Sequence, residues 1–200
     1  MKKDAMKKIT VTRWLLLIVG VSCLTLYSYT FLERVGSQAY AAWAFDRGPQ
    51  RSGLPQAKPM PIEPLARDAV VGRISVPRLH LSAMVREGVE AKTLRHAVGH
   101  IPETPLPGQP GNVGVAGHRD TFFRHLGNLK PGDQIAFSTS AGDFSYAVES
   151  LTVVAPEDVG VLASSQENVL TMVTCYPFFY IGNAPKRFVV RARQIADTER

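Results

Sequence analysis

Gln134-Ile135-Ala136-Phe137-Ser138-Thr139, then Ala141-Gly142, then Asp143-Phe144-Ser145-Tyr146-Ala147-Val148 is the stretch that decides the fold class. In its second run, which continues to residue 154, Phe144, Tyr146 and Val148 recur at every second position. That is the period of a half-buried strand. The turn sequence Lys130-Pro131-Gly132-Asp133 leads into the first run, and Ala141-Gly142 between the runs predicts a hairpin. Toward the C-terminus two further strands follow, over residues 169–174 and 187–193. In the last, pleating puts Arg187, Val189, Arg191 and Arg193 on one face and Phe188, Val190 and Ala192 on the other.

Toward the N-terminus the runs are shorter. Residues 112–116 predict a short strand, and Pro102, Pro105, Pro107 and Pro110 make 102–111 an irregular loop that also holds His100 at its entrance. Residues 90–96 predict a short helix. Leu79, Leu81, Met84 and Val85 form another apolar run, and Val70, Val71, Ile74 and Val76 form the first, stopped by Pro77. Short apolar runs punctuated by Gly, Pro and Asp predict a mainly β domain, a sandwich or a barrel, with short helices. Residues 69–196 are enough for one core.

The chain has 200 residues, 45% hydrophobic and 20% charged, which excludes a disordered or collagen-like chain. Two cysteines exclude a disulfide-dense scaffold and a cysteine-based zinc site. The net charge of +6 would point to nucleic acid if it were spread over the domain. It is concentrated in residues 1–13, where Lys2, Lys3, Lys7, Lys8 and Arg13 face only Asp4, so no nucleic-acid partner is expected.

Residues 14–32 carry no charge and include Leu15, Leu16, Leu17, Ile18, Val19, Val21, Leu24 and Leu26. As a helix rising about 1.5 Å per residue they match the roughly 30 Å hydrocarbon core of a bilayer. Trp14, Tyr27 and Tyr29 stand toward the ends, where amphipathic aromatics favour the interface. The basic residues before Trp14 are expected to stay in the cytoplasm, with the domain outside the cell membrane in a single-pass arrangement. Ala39-Tyr40-Ala41 has the small residues of a cleavage site, but Glu33 and Arg34 intervene, so an uncleaved signal anchor is the expectation. The expected division is a basic tail (1–13), an anchor (14–32), a juxtamembrane segment and proline-rich tether (33–66) and an exported domain (67–200). Five prolines and two glycines in residues 47–66 exclude an interior helix or central strand there.

Cys175 ends an apolar strand and is followed by Tyr176-Pro177; Cys23 lies in the anchor, so the two cannot pair. A lone thiol in an oxidising compartment is either buried and inert or kept for reactivity. A thiol nucleophile needs a positive neighbour, because free cysteine ionises near pH 8.5. Of His80, His96, His100, His118 and His125, only His118 follows a glycine-flanked apolar run, Gly114-Val115-Ala116-Gly117, and precedes Arg119-Asp120. Arg187 opens the last strand. Strand, loop and antiparallel strand between positions 175 and 187 would set it beside Cys175, as an oxyanion donor or as an ordinary edge-strand arginine.

Thr171-Met172-Val173-Thr174-Cys175 resembles the TLxTC motif of sortases, with Met172 for the usual Leu. Gly117-His118-Arg119-Asp120-Thr121-Phe122-Phe123 resembles the histidine motif of class D sortases and, less closely, class E. Arg187-Phe188-Val189-Val190 resembles the strand carrying the family arginine, and Arg73-Ile74-Ser75-Val76-Pro77 the first strand. The resemblance implies an eight-stranded β-barrel cysteine transpeptidase of the hydrolase class. By motif, Cys175 is the nucleophile, His118 the acid/base and Arg187 the oxyanion and substrate binder, with Thr174 a further substrate contact. It implies a secreted partner with an LPxTG-like sorting signal, and a cell-surface amine as acceptor. It implies no cofactor. Some relatives use calcium, but no dense acidic cluster near the motifs supports a metal site here. An L,D-transpeptidase would place His and Gly directly before its cysteine, and a papain-like protease would place its cysteine before its histidine. Neither order occurs. The non-enzymatic alternative is a membrane-tethered β-domain that binds a partner, with Cys175 structural.

Overall fold

Eight short strands close into a ring in the computed structural model, which describes residues 2–47 and 65–195. They are β1 (Val70–Val76), β2 (Leu81–Glu87), β3 (Val98–His100), β4 (Asn112–Ala116), β5 (Gln134–Thr139), β6 (Gly142–Val154), β7 (Val169–Tyr176) and β8 (Lys186–Ile195). Around the barrel the order is β1-β2-β3-β4-β7-β8-β6-β5, and β5 returns to pair with β1. All neighbours are antiparallel except β2 with β3 and β4 with β7. The chain divides into two compact units, Met1–Ala39 and Tyr40–Arg200.

The predicted hairpin is present: β5 and β6 pair from Thr139 opposite Gly142 to Gln134 opposite Ala147. Phe144, Tyr146 and Val148 all enter the core, as period two requires. A bulge between Val148 and Ser150 then shifts the phase by one, so Leu151 packs on the core. A similar shift between Val70 and Gly72 in β1 lets Val71 and Ile74, three positions apart, both point inward. In β8 the inward set is Phe188, Val190 and Ala192; Val189, on the arginine face, is buried as well.

The short helix is α2 (Ala91–His96), one residue shorter than predicted. The three-residue β3 was not predicted, because a run of Val98, Gly99 and His100 is too short to show a period. Its presence corrects the place given to His100, which belongs to a strand and not to the loop. The imidazole is 2% exposed. Its Nδ1 lies 2.7 Å from Glu87 Oε2, and its Nε2 lies 3.1 Å from both Pro105 O and Thr104 Oγ1. Nδ1 faces a carboxylate and Nε2 a carbonyl, and both of these only accept. The ring thus fastens the proline loop to the barrel wall. His100→Ala is expected to cost about 2–3 kcal/mol, because it leaves a cavity in the barrel wall and takes a hydrogen-bond partner from Glu87 and Pro105. Urea denaturation measures this, and an unchanged midpoint would contradict it.

The apolar run 14–32 lies within α1 (Lys2–Arg47), which also takes in residues 33–47 of the expected juxtamembrane segment. Its Thr12–Arg47 portion is long and apolar enough to cross a membrane. The last turns of α1 belong to the barrel unit. Arg73 on β1 donates to Asp46 Oδ1 at 2.8 Å and to Ala42 O at 3.3 Å, with its guanidinium 5.6 Å from the Phe45 ring centre. The greater part of the expected proline-rich tether, residues 48–64, lies outside the described residues.

Candidate active site

β7 carries the motif Thr171–Cys175 between its two neighbours, parallel β4 and antiparallel β8. Alternation sends Leu170 and Met172 into the core, where both are fully buried, so Met172 replaces leucine without exposing polar atoms. Thr171, Val173 and Cys175 fall on the opposite, outer face. The two threonines of the motif fasten the strand to β4. Thr171 Oγ1 donates to Asn112 Oδ1 at 2.6 Å, and Thr174 Oγ1 donates to Gly117 O at 2.7 Å. Asn112 in turn donates to the carbonyls of Val161 and Ala163, which ties down the connection between β6 and β7.

Thr174 is 3% exposed, and its hydroxyl is committed to Gly117. Its place in the site is therefore to hold the histidine loop against the cysteine strand. The Gly117 amide also donates to Val173 O at 3.1 Å, so the residue before His118 is clamped to β7 from both sides. On the other side, His118 O accepts from the amides of Phe123 (3.1 Å) and Thr121 (3.4 Å). A Cβ at position 117 would stand 2.8 Å from the buried Phe123 ring, so glycine is needed for this approach. The β4–β7 ladder ends with Ala116 opposite Val173. Continued by two residues along parallel strands, that register brings His118 level with Cys175. His118 is exposed, and Cys175 is half-buried.

Across the other edge Cys175 is directly opposite Arg187 in the antiparallel β7–β8 ladder. Directly opposed residues share a face, so thiol and guanidinium stand on the same outer wall. Arg187 Nη1 donates to Lys186 O (3.1 Å) and Ala184 O (3.3 Å). Beneath this rim Tyr176, Phe178 and Phe188 form an aromatic cluster with ring centres 5.2–6.2 Å apart. Position 175 is thus opposite 187 on one ladder, and position 118 directly follows the Gly117 that is bonded to the same strand, because β4, β7 and β8 are neighbours.

Arg119 is a member of the site that sequence reasoning quoted but gave no role. Its guanidinium donates to Pro177 O at 3.1 Å, Tyr180 O at 2.8 Å and Gly182 O at 2.9 Å, and lies 5.7 Å from the Tyr180 ring centre. It joins the histidine loop to the β7–β8 connection. A lysine has one nitrogen and no planar fork, so it cannot span three carbonyls. Arg119→Lys is expected to speed amide hydrogen exchange across residues 178–182 while leaving that of β6 and β8 unchanged; equal protection in the two proteins would contradict this. Among the described residues no three His, Cys, Asp or Glu side chains gather in a metal-sized cluster.

The family model for the sortase domain matches residues 74–195, which begins in β1 and ends with β8. The chain belongs to the sortase family. Sortase D of Bacillus subtilis (strain 168) is 34% identical over 125 residues, covering 62% of this chain and 63% of that protein. Sortase A of Bacillus anthracis is 28% identical over 130 residues, covering 63% and 60%. The chain thus spans less than two thirds of the length of these relatives. A solved sortase D5 transpeptidase from Clostridium perfringens superposes with a TM-score of 0.61 at 28% identity, over 66% of this chain and 82% of that one. The sortase barrel is accordingly the framework on which Cys175, His118 and Arg187 are set, and the resemblance seen in the motifs extends over the whole ring.

Proposed function

We propose that this sortase-family barrel is a membrane-anchored cysteine transpeptidase acting on an LPxTG-like sorting signal. The observation that carries the reading is the pairing of Cys175 with Arg187 across β7–β8, with His118 mounted on β7 from the other side. In the first step the Cys175 sulfur attacks the carbonyl carbon of the scissile bond. Negative charge collects on the carbonyl oxygen, where Arg187 offers planar N–H donors. His118 gives its proton to the departing amine, the C–N bond breaks, and a thioester remains. His118 then takes the proton of an incoming amine, which attacks the thioester and releases the thiolate. The outer face beside Cys175 carries the small, half-buried residues Ala116 on β4 and Val173 on β7, which suits an extended peptide approaching along the wall.

The expected topology has the basic tail in the cytoplasm and the barrel outside, with a secreted sorting-signal protein as substrate and a cell-surface amine as acceptor. External protease on spheroplasts should digest the barrel; protection until lysis would refute this placement. The reaction itself is tested with the purified chain, a panel of fluorescent sorting-signal peptides and a simple amine. Amine-linked product is expected, at a rate that EDTA does not change. Release of free acid alone would make the protein a hydrolase, and loss of product on chelation would show a metal requirement. No product and no trapped thioester across the panel would favour the partner-binding alternative.

A further inference from the structure

The β7–β8 connection ends in Phe179-Tyr180-Ile181. Phe179 is 89% exposed, Ile181 is fully exposed and Tyr180 is about half exposed. Among the described residues of the barrel unit, no other place exposes three consecutive large apolar side chains. They are held out, since Arg119 pins the backbone at Pro177, Tyr180 and Gly182, the positions that bracket Phe179 and Ile181. Gly182 turns the chain at φ +96°, in open space on its side-chain side. A rigid apolar tip of this kind marks a contact surface.

Charge and attachment indicate what it contacts. Residues 175–195 contain no Asp or Glu, and Lys186 stands exposed at the foot of the tip. A basic side chain beside an aromatic and aliphatic tip is a combination that favours an anionic lipid surface. The same chain carries the apolar helix α1, whose last turns belong to the barrel unit and bond Arg73 of β1. A bilayer holding α1 therefore stays within reach of the barrel.

We propose that Phe179, Tyr180 and Ile181 seat in the headgroup region of an anionic phospholipid bilayer, with Lys186 against lipid phosphate. This does not depend on the transpeptidase reading. Its effect would be to hold the rim that bears Cys175 and Arg187, the two stems of the connection, at the membrane surface.

The test uses the full chain in nanodiscs of phosphatidylcholine and phosphatidylglycerol. Trp14→Phe and Trp43→Phe remove the native tryptophans, and Ile181→Trp, or in a second protein Phe179→Trp, supplies a single probe. Val159→Trp, 74% exposed on the β6–β7 connection, is the control. Tip tryptophans are expected to emit at shorter wavelength than the control and to lose intensity in discs of brominated lipid. Replacing the phosphatidylglycerol, or Lys186→Glu, should reduce the quenching. Tip emission at the wavelength of exposed tryptophan, unquenched in both probe proteins, overturns the proposal. Equal quenching of the Val159 control overturns it too, because the barrel would then lie on lipid without selectivity. A blue shift that appears only when an apolar sorting peptide is added would instead assign the tip to substrate.

Discussion

Cys175→Ala is expected to reduce transpeptidation to the background of the assay and to eliminate the thioester trapped by denaturation. Among the described residues the free cysteines are Cys23 and Cys175, and Cys23 lies in α1, remote in sequence from the barrel motifs. A histidine and an arginine alone can polarise a peptide bond, but neither replaces a covalent intermediate that splits one hard step into two. The substitution removes one sulfur from a half-buried position on a strand whose hydrogen bonds run through the backbone and through Thr171 and Thr174. The fold should hold, and circular dichroism and urea midpoints near those of the parent chain would show that it does. Residual turnover in the folded variant would mean that another group carries the acyl chain.

The second large effect concerns the two partners of the thiol. Arg187→Lys keeps the charge but loses the fork that offers two parallel N–H groups to one oxygen. Loss of one oxyanion donor costs about 10²–10³ in rate, and a fall of that order is expected in kcat/KM with the fold intact. His118→Ala should be at least as severe, since proton transfer to the leaving amine typically contributes about 10²–10⁴. His125, exposed on a neighbouring loop, serves as control, and His125→Ala should stay within a few-fold of the parent. His100 cannot serve in that way because of its contact with Glu87. Full activity in folded Arg187→Lys, or inactivity of His125→Ala in place of His118→Ala, would overturn these roles while leaving the family unchanged.

Much of this was legible because strands buried on one face advertise it. The runs at β5, β6, β7 and β8 show period two, and the antiparallel geometry from 175 to 187 follows from a strand, a loop and a returning strand. What was not legible has a common cause. β3 is three residues long and is made a strand by its neighbours, through pairing with β2 and β4. The bulge that brings Leu151 inward leaves no mark in composition. Thr174 and Arg119 are ordinary residues in sequence, and their roles arise from carbonyls 57 to 63 positions away. A signal for Arg119 did exist, in that it directly follows His118, but only the folded loop gives it partners.

The parallel pairing of β4 with β7 sets an order for folding. Parallel neighbours need a long crossover, and here the chain must travel from Ala116 through β5 and β6 before Val169 can lie beside Asn112. Contacts so distant along the chain form late and slowly. A newly made polypeptide therefore carries its thiol without the imidazole beside it until the ring has closed. If Cys175 is the nucleophile proposed above, its reactivity would begin only once folding has finished.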